Sequence, residues 1–417
     1  MKFLLTSRPY GEIRRGFQPL EIPGLPVIHL SGESDVEMEK ISREIDVFIE
    51  ARVHNIAARI KLRNDEQDLL LREPMHVPNR TYLWVHLTLD LIERDIDIDK
   101  IGIVKATSHL PKTVDEAYDR ILSRSRDSKK AKRILHIIVA AARPLTLREM
   151  ALALTIRENH RSYSDLDLKS QDWFYENIRD ICGLFVTIIE LRIYLLHQTA
   201  KEFLVQNDKF CHESTHGGLK WKHPLLPQDS HRLLTEICMR YLLFAEFEAN
   251  STDDDTMRFQ YEVFLDYSAK HWAAHIRESY IEVDDAATQS MLRLCDTSST
   301  CCQTWFRLYW TSTNTEFPEN FTVMIASYFG LTAVVKHLLL QLDSTDLNCK
   351  DSTYGRSAIS WAAGNGFDEV VRQLIKGIGG HLRGFRRLFR KGAQVDSVDK
   401  YGRTPLVYAV WKGQLLI

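Results

Sequence analysis

Between residues 35 and 60 the apolar positions Val36, Ile41, Ile45, Phe48, Ile49, Val53, Ile56 and Ile60 recur at steps of three and four. That spacing lines one face of a single long helix. A second, strongly apolar helix is predicted over 82–92. Leu110-Pro111 then stops the chain, and Thr113 with Glu116 three residues later is a capping-box pattern opening a helix over 113–122. Two more helices are expected over 129–142 and 146–154, joined by Arg143-Pro144-Leu145, and another over about 170–181. Near the start, 3–6 and 27–30 read as short strands split by a loop rich in Gly and Pro.

The pattern changes period at 184–189 and 192–196. Both runs are β-branched and aromatic, with Glu190-Leu191 between them, so a β-hairpin is predicted. Three helices followed by a hairpin is the order of a winged helix. Residues 206–228 are polar, with Gly217-Gly218 and two prolines, and read as a linker. Helices resume to about 310, including 233–244 and 261–276, and 311–320 is a second linker.

The last hundred residues repeat. Phe321–Gly330, Ser357–Gly366 and Thr404–Gly413 align on an internal alanine (Ala326, Ala362, Ala409) and a terminal glycine. Val334-Val335 with Leu338-Leu339, and Val370-Val371 with Leu374-Ile375, follow the first two. Tyr354-Gly355-Arg356 and Tyr401-Gly402-Arg403 precede the second and third. This resembles the ankyrin repeat, two short helices and a β-turn in about 33 residues. The glycines are 36 and 47 residues apart, so an insertion is placed near 378–391, expected to interrupt the stack. The segment 376–391 carries Lys376, Arg383, Arg386, Arg387, Arg390 and Lys391 and no acid. It reads either as a solvated insertion, including one read through from a splice error, or as a basic amphipathic docking helix with Leu382, Phe385, Leu388 and Phe389 on one side.

Lys2-Phe3-Leu4-Leu5-Thr6-Ser7-Arg8-Pro9 resembles the sensor strand of NACHT-type NTPases of the STAND class, and 82–91, 110–122, 143–149, 196–204 and 267–275 are similar to later parts of such proteins. The whole resembles a NACHT–winged-helix–ankyrin receptor of the kind abundant in filamentous fungi, with a GPI-inositol-deacylase-like winged helix. The resemblance implies a mainly α fold in four parts: a C-terminal remnant of an α/β NTPase (1–110), a winged helix (111–205), a helical spacer (206–317) and about three ankyrin repeats (318–417), the last incomplete. It implies nucleotide-sensing roles for Arg8 and for His197, the latter with a local capping role as the alternative. Gly-x-x-x-x-Gly-Lys-Ser/Thr occurs nowhere, so the backbone cradle, lysine and Mg²⁺-binding hydroxyl of a P-loop are missing. The chain is therefore expected to be a truncated receptor without catalysis or cofactor. Residues 1–60, deprived of sheet neighbours, are expected to pack poorly. An ATP-driven signalling switch is the alternative if upstream sequence supplies the P-loop.

Composition adds little except exclusions. Lys plus Arg is 54 and Asp plus Glu is 56, a net charge of -2, so neither nucleic acid nor an acidic membrane is drawn to the chain as a whole. Seven cysteines without a Cys-x-x-Cys, and no apolar run near the length of a bilayer span, predict a reduced, cytoplasmic protein. Gly32-Glu33-Ser34-Asp35-Val36 lacks the second glycine of a nucleophile elbow. Neither the 211–231 Cys/His group nor His271 with His275 has strong metal spacing. The helix over 146–154 offers Arg148 against Glu149, a poor reader of DNA. The expected partner is a protein held by the ankyrin repeats, with self-association in an intact receptor. Phe329, Asn365, Phe367 and Trp411 are the candidate contacts, their alternative being packing within the stack.

Overall fold

The computed structural model describes residues 35–77, 80–95, 100–107, 110–205, 219–248, 262–279, 285–311, 322–341, 347–377 and 392–414. Arg8 and the strands expected at 3–6 and 27–30 lie outside them, as do Cys211, His212, His216 and residues 378–391. Among the described residues the fold is mainly α, with eighteen α-helices and one two-stranded sheet. The chain divides into two compact units, Met1–Tyr118 and Asp119–Ile417.

In the first unit the helix Asp35–Ile60 runs as the periodicity requires. Its face Ile45, Ile49, Val53 and Ile56 is fully buried against Leu70, Trp84, Val85, Leu89, Ile92 and Ile103. Poor packing was expected before residue 60, and for 45–56 this is corrected. Two helices with weak patterns, Asn64–His76 and Lys100–Thr107, supply Leu70 and Ile103, so the long helix has a core independent of any sheet. Each such apolar side chain contributes about 1.5–3 kcal/mol by leaving water. Buried Trp84 donates from Nε1 to the Pro111 carbonyl at 2.9 Å.

The second unit starts as a winged helix. Asp127 caps Ser128–Ala140 by accepting from Lys130 N. Thr146 opens Leu147–Thr155 with a reciprocal capping box: Glu149 N donates to Thr146 Oγ1 at 3.2 Å and Thr146 N to Glu149 Oε2 at 2.7 Å. Gln171–Cys182 ends at Gly183, whose φ of 57° needs glycine. Strands β1 (Val186–Ile189) and β2 (Arg192–Leu195) pair antiparallel from Val186↔Leu195 to Ile189↔Arg192. Glu190 and Leu191 turn between them at positive φ, 49° and 59°, as a two-residue hairpin demands. Leu145 O accepts from Ile193 N and Leu191 O from Leu147 N, fastening the hairpin to the helix start.

The linker expected over 206–228 is corrected in its described part. Trp221 and Leu225 are buried, Trp221 N donates to Asp119 Oδ1 at 2.7 Å, and Leu225 N bonds to Leu204 O. Pro227–Leu242 then packs against both Ser128–Ala140 and Leu265–Ser279, and Leu265–Ser279 packs against Thr300–Thr311. Trp272 and Trp305 meet edge to face at 5.2 Å between centroids, both fully buried. His275, grouped with His271 by spacing, is buried and bonded to His231 and Tyr267. The spacer thus joins the winged helix to the repeats by a continuous core.

Candidate protein-binding surface

The repeats are built from Thr322–Phe329 with Thr332–Gln341, Ala358–Gly364 with Asp368–Lys376, and Pro405–Trp411. Gly330, Gly366 and Gly413 all lie at positive φ, 70°, 81° and 71°, so the aligned glycines are aligned turns. They also set the spacing of the stack. A Cβ on Gly330 would fall 2.7 Å from the Phe367 ring, and one on Gly366 would fall 2.5 Å from Gln414 Oε1. The residue after each glycine therefore sits over the glycine before it.

The loops before the first helices of the second and third repeats are each fixed by one aspartate. Asp351 accepts from Tyr354 N at 2.5 Å and Arg356 N at 2.9 Å. Asp399 accepts from Tyr401 N and Arg403 N, both at 2.8 Å. An aromatic one turn into the following helix closes the loop on the same carboxylate: Trp361 Nε1 to Asp351 Oδ2 at 3.3 Å, and Tyr408 Oη to Asp399 Oδ2 at 2.5 Å. Arg356 is held between the Trp361 and Tyr408 rings, 3.7 Å from each centroid. Burial pulls its pKa down to about 10. It therefore ties the second repeat to the third.

Residues 378–391, where a loop or an extra helix was expected to interrupt the stack, lie outside the described residues, and the repeats on either side of them pack together. The helices Ala358–Gly364 and Pro405–Trp411 pack directly, and Lys400 N bonds to Tyr354 O at 3.0 Å between neighbouring loops. The chain leaves after Gly377 and is pinned again where Ala393 N meets Leu374 O at 2.9 Å. At Gly392 a Cβ would strike Ile375 O at 2.0 Å, so this return needs glycine.

Three of the four candidate contacts are engaged inside the stack. Phe329 is buried, packing on Trp272, Trp305 and Tyr309. It is corrected from a contact residue to core, because the spacer covers the face that a partner would need. Asn365 Nδ2 donates to Tyr328 O at 3.0 Å, bridging the first two repeats. Phe367 is half-buried over Gly330, with the Arg277 guanidinium 5.1 Å from its centroid. Arg277 Nη1 also donates to Phe329 O at 2.7 Å, closing the first helix of the stack from the spacer. Trp411 alone stands out, 67% exposed.

It has neighbours that the sequence reading did not single out. Leu406 and Val410 are 64% and 63% exposed, and Val407 and Tyr401 are also exposed. The equivalents of Leu406 and Val410 in the second repeat, Ile359 and Ala363, are each 2% exposed, because the third repeat covers them. Arg403 lies 5.0 Å from the Tyr401 ring and 5.1 Å from the Trp411 ring. The third repeat thus exposes five apolar and aromatic side chains, with Arg403 beside Tyr401 and Trp411, a composition that protein contacts favour. His197, by contrast, is exposed and caps Gln198–Leu204, its Nδ1 accepting from Thr199 N at 3.2 Å.

Comparison with known proteins agrees with this architecture. Residues 118–214 match the family described as GPI inositol-deacylase, winged helix domain, and 323–417 match ankyrin repeats in three copies. The chain is similar to Vegetative incompatibility protein HET-E-1 of Podospora anserina, 24% identical over 300 residues. That alignment covers 67% of this chain and 20% of the relative, so the chain spans about a fifth of that protein. It is also similar to Azaphilone pigments biosynthesis cluster protein L of Monascus ruber, 23% identical over 379 residues, covering 82% of this chain and 76% of the relative. The two family matches fall on the winged helix and on the repeat stack described above. No helix among the described residues is long and apolar enough to cross a membrane.

Proposed function

We propose that the chain works by protein recognition within a signalling receptor of the NACHT–ankyrin type. Its third repeat is the contact surface, and no catalytic step occurs on the chain itself. The observation that carries this reading is the exposed patch Tyr401, Leu406, Val407, Val410 and Trp411, set on a repeat fixed by Asp399 and Arg356. An apolar helix or strand of a partner protein suits it, and the near-zero net charge favours neither nucleic acid nor a membrane. The buried spacer is the lever through which contact at the repeats reaches the winged helix.

The test compares the full chain with a Leu406→Ser, Val410→Ser, Trp411→Ala variant as bait in a fungal extract. Both should melt alike, because exposed positions change stability by only about 0.5 kcal/mol. Proteins retained by the native chain and lost by the variant support the reading; identical retained sets refute it. Phosphate release from Mg-ATP by the purified chain would overturn the non-catalytic part.

A further inference from the structure

A pocket of about 310 Å³ opens between the winged helix and the segment leading into Leu265–Ser279. This is the lower end of the size range of small-molecule sites. Its floor and walls are Leu147, Ala151 and Leu152 from one helix, Phe174 from the next, and Leu168 and Val263. Leu147, Leu152 and Phe174 are buried, so the floor is rigid core rather than a surface dent.

The polar lining gathers at one side. Arg148, Tyr163, Lys169 and Gln171 line the pocket, and among the described residues no carboxylate does. Arg148 Nε reaches only the Gln171 amide oxygen, at 3.2 Å. No carboxylate pairs with Arg148 among the described residues. Lys169 shares its charge with Asp167 at 2.9 and 3.0 Å. Burial raises the Tyr163 phenol pKa while Arg148 draws it down, placing both groups in one field. Glu246, from the segment Ala245–Phe247, accepts from Tyr163 N at 2.7 Å and is not part of the lining.

We propose that this pocket binds a small monoanion with an apolar body, such as an arylalkyl carboxylate or sulfonate, its ring on Leu147, Leu152 and Phe174 and its acid group on Arg148. The loop that forms one wall is pinned to the spacer, with Ala245 N on Arg161 O at 3.0 Å and Arg240 Nη2 on Glu158 Oε1 at 3.1 Å. An occupant would therefore touch both the winged helix and the spacer approach.

Calorimetric titration of the full chain with naphthalene-2-sulfonate and the neutral naphthalene-2-sulfonamide tests this. The sulfonate is expected to bind with Kd of about 10 µM to 1 mM, as suits a ligand of that size. The sulfonamide should bind about tenfold more weakly, lacking the charge-assisted contact. Arg148→Gln, at an exposed position, should erase that difference while leaving sulfonamide binding intact. Ala151→Phe should fill the pocket and abolish both. Equal binding of the two probes, an Arg148→Gln variant that keeps the preference, or no binding at millimolar probe overturns the proposal.

Discussion

His231 and His275 face each other through their Nδ1 atoms at 2.9 Å, across the helices Pro227–Leu242 and Leu265–Ser279. Ala142 N donates to Tyr267 Oη at 3.2 Å, and Tyr267 Oη is paired with His275 Nε2 at 2.9 Å. A charged ring at this buried joint costs desolvation energy.

Acid should loosen this joint. Burial, with His231 and His271 nearby, holds His275 down to about 3. His231, His271 and His136 are also lowered, mainly by burial. The charged groups acting on them are Arg143, Glu149, Asp266 and Lys270 around His271, Glu278 and Lys201 at His231, and Lys132 and Asp229 at His136. These bases titrate near 6.5 when unfolded, so between that pH and the lower folded values the unfolded chain binds more protons. Stability is present above pH 6.5 and falls as pH drops, by up to about 1.4 kcal/mol per unit for each fully affected histidine. Thermal melts at pH 7 and pH 5 should differ, and His275→Gln should shrink the difference. An unchanged pH dependence in that variant would remove His275 from the account.

The repeat glycines should differ in their tolerance of a side chain. Gly330→Ala meets both a positive φ and the Phe367 ring, whereas Gly413→Ala meets the positive φ with nothing within 4 Å. The second is expected to cost about 1 kcal/mol from the backbone alone. The first should cost more by about 1–3 kcal/mol of overpacking. Denaturant midpoints of the two variants rank them, and equal midpoints would mean that Phe367 can move aside.

Asp399→Ala should unfasten the third repeat. It removes the acceptor for Tyr401 N, Arg403 N and the buried Tyr408 hydroxyl. A loss of about 2–3 kcal/mol is expected, since leaving buried donors unpaired costs about 1–3 kcal/mol. Hydrogen exchange should quicken in 399–411 and stay slow in Leu265–Ser279.

Thiol labelling of the native chain should single out one described cysteine. Burial pushes Cys182, Cys238, Cys301 and Cys302 up to about 12 and raises Cys295 well above the ordinary thiol range. Cys349 is only partly buried. Alkylation at pH 7.5 followed by mass mapping should find Cys349 modified well before those five, because the thiolate is the reactive form. Equal labelling would indicate an open spacer.

Local signals carried much of this fold. The period of Ile45, Ile49, Val53 and Ile56 gave the long first helix. Thr113 with Glu116 placed a helix start, because capping is chemistry between residues three apart. Glycine spacing gave the repeats for the same reason. Asn64–His76 and Lys100–Thr107 went unread because the first bunches Leu69, Leu70 and Leu71 together and the second is only eight residues long, too short for a helical period to show. The pocket was invisible as well, since Arg148, Leu168 and Val263 meet only in three dimensions.

The candidate contacts divide along the same line. Sequence alone determined that Phe329, Asn365, Phe367 and Trp411 lie near the helix ends and turns of the repeats. It also determined that the chain holds a winged helix and a repeat stack. Only the tertiary structure decided which of those places face solvent. Ile359 and Leu406 occupy one position of one motif, yet the first is covered and the second bare. Burial belongs to what packs on a residue, and local spacing does not encode that neighbour.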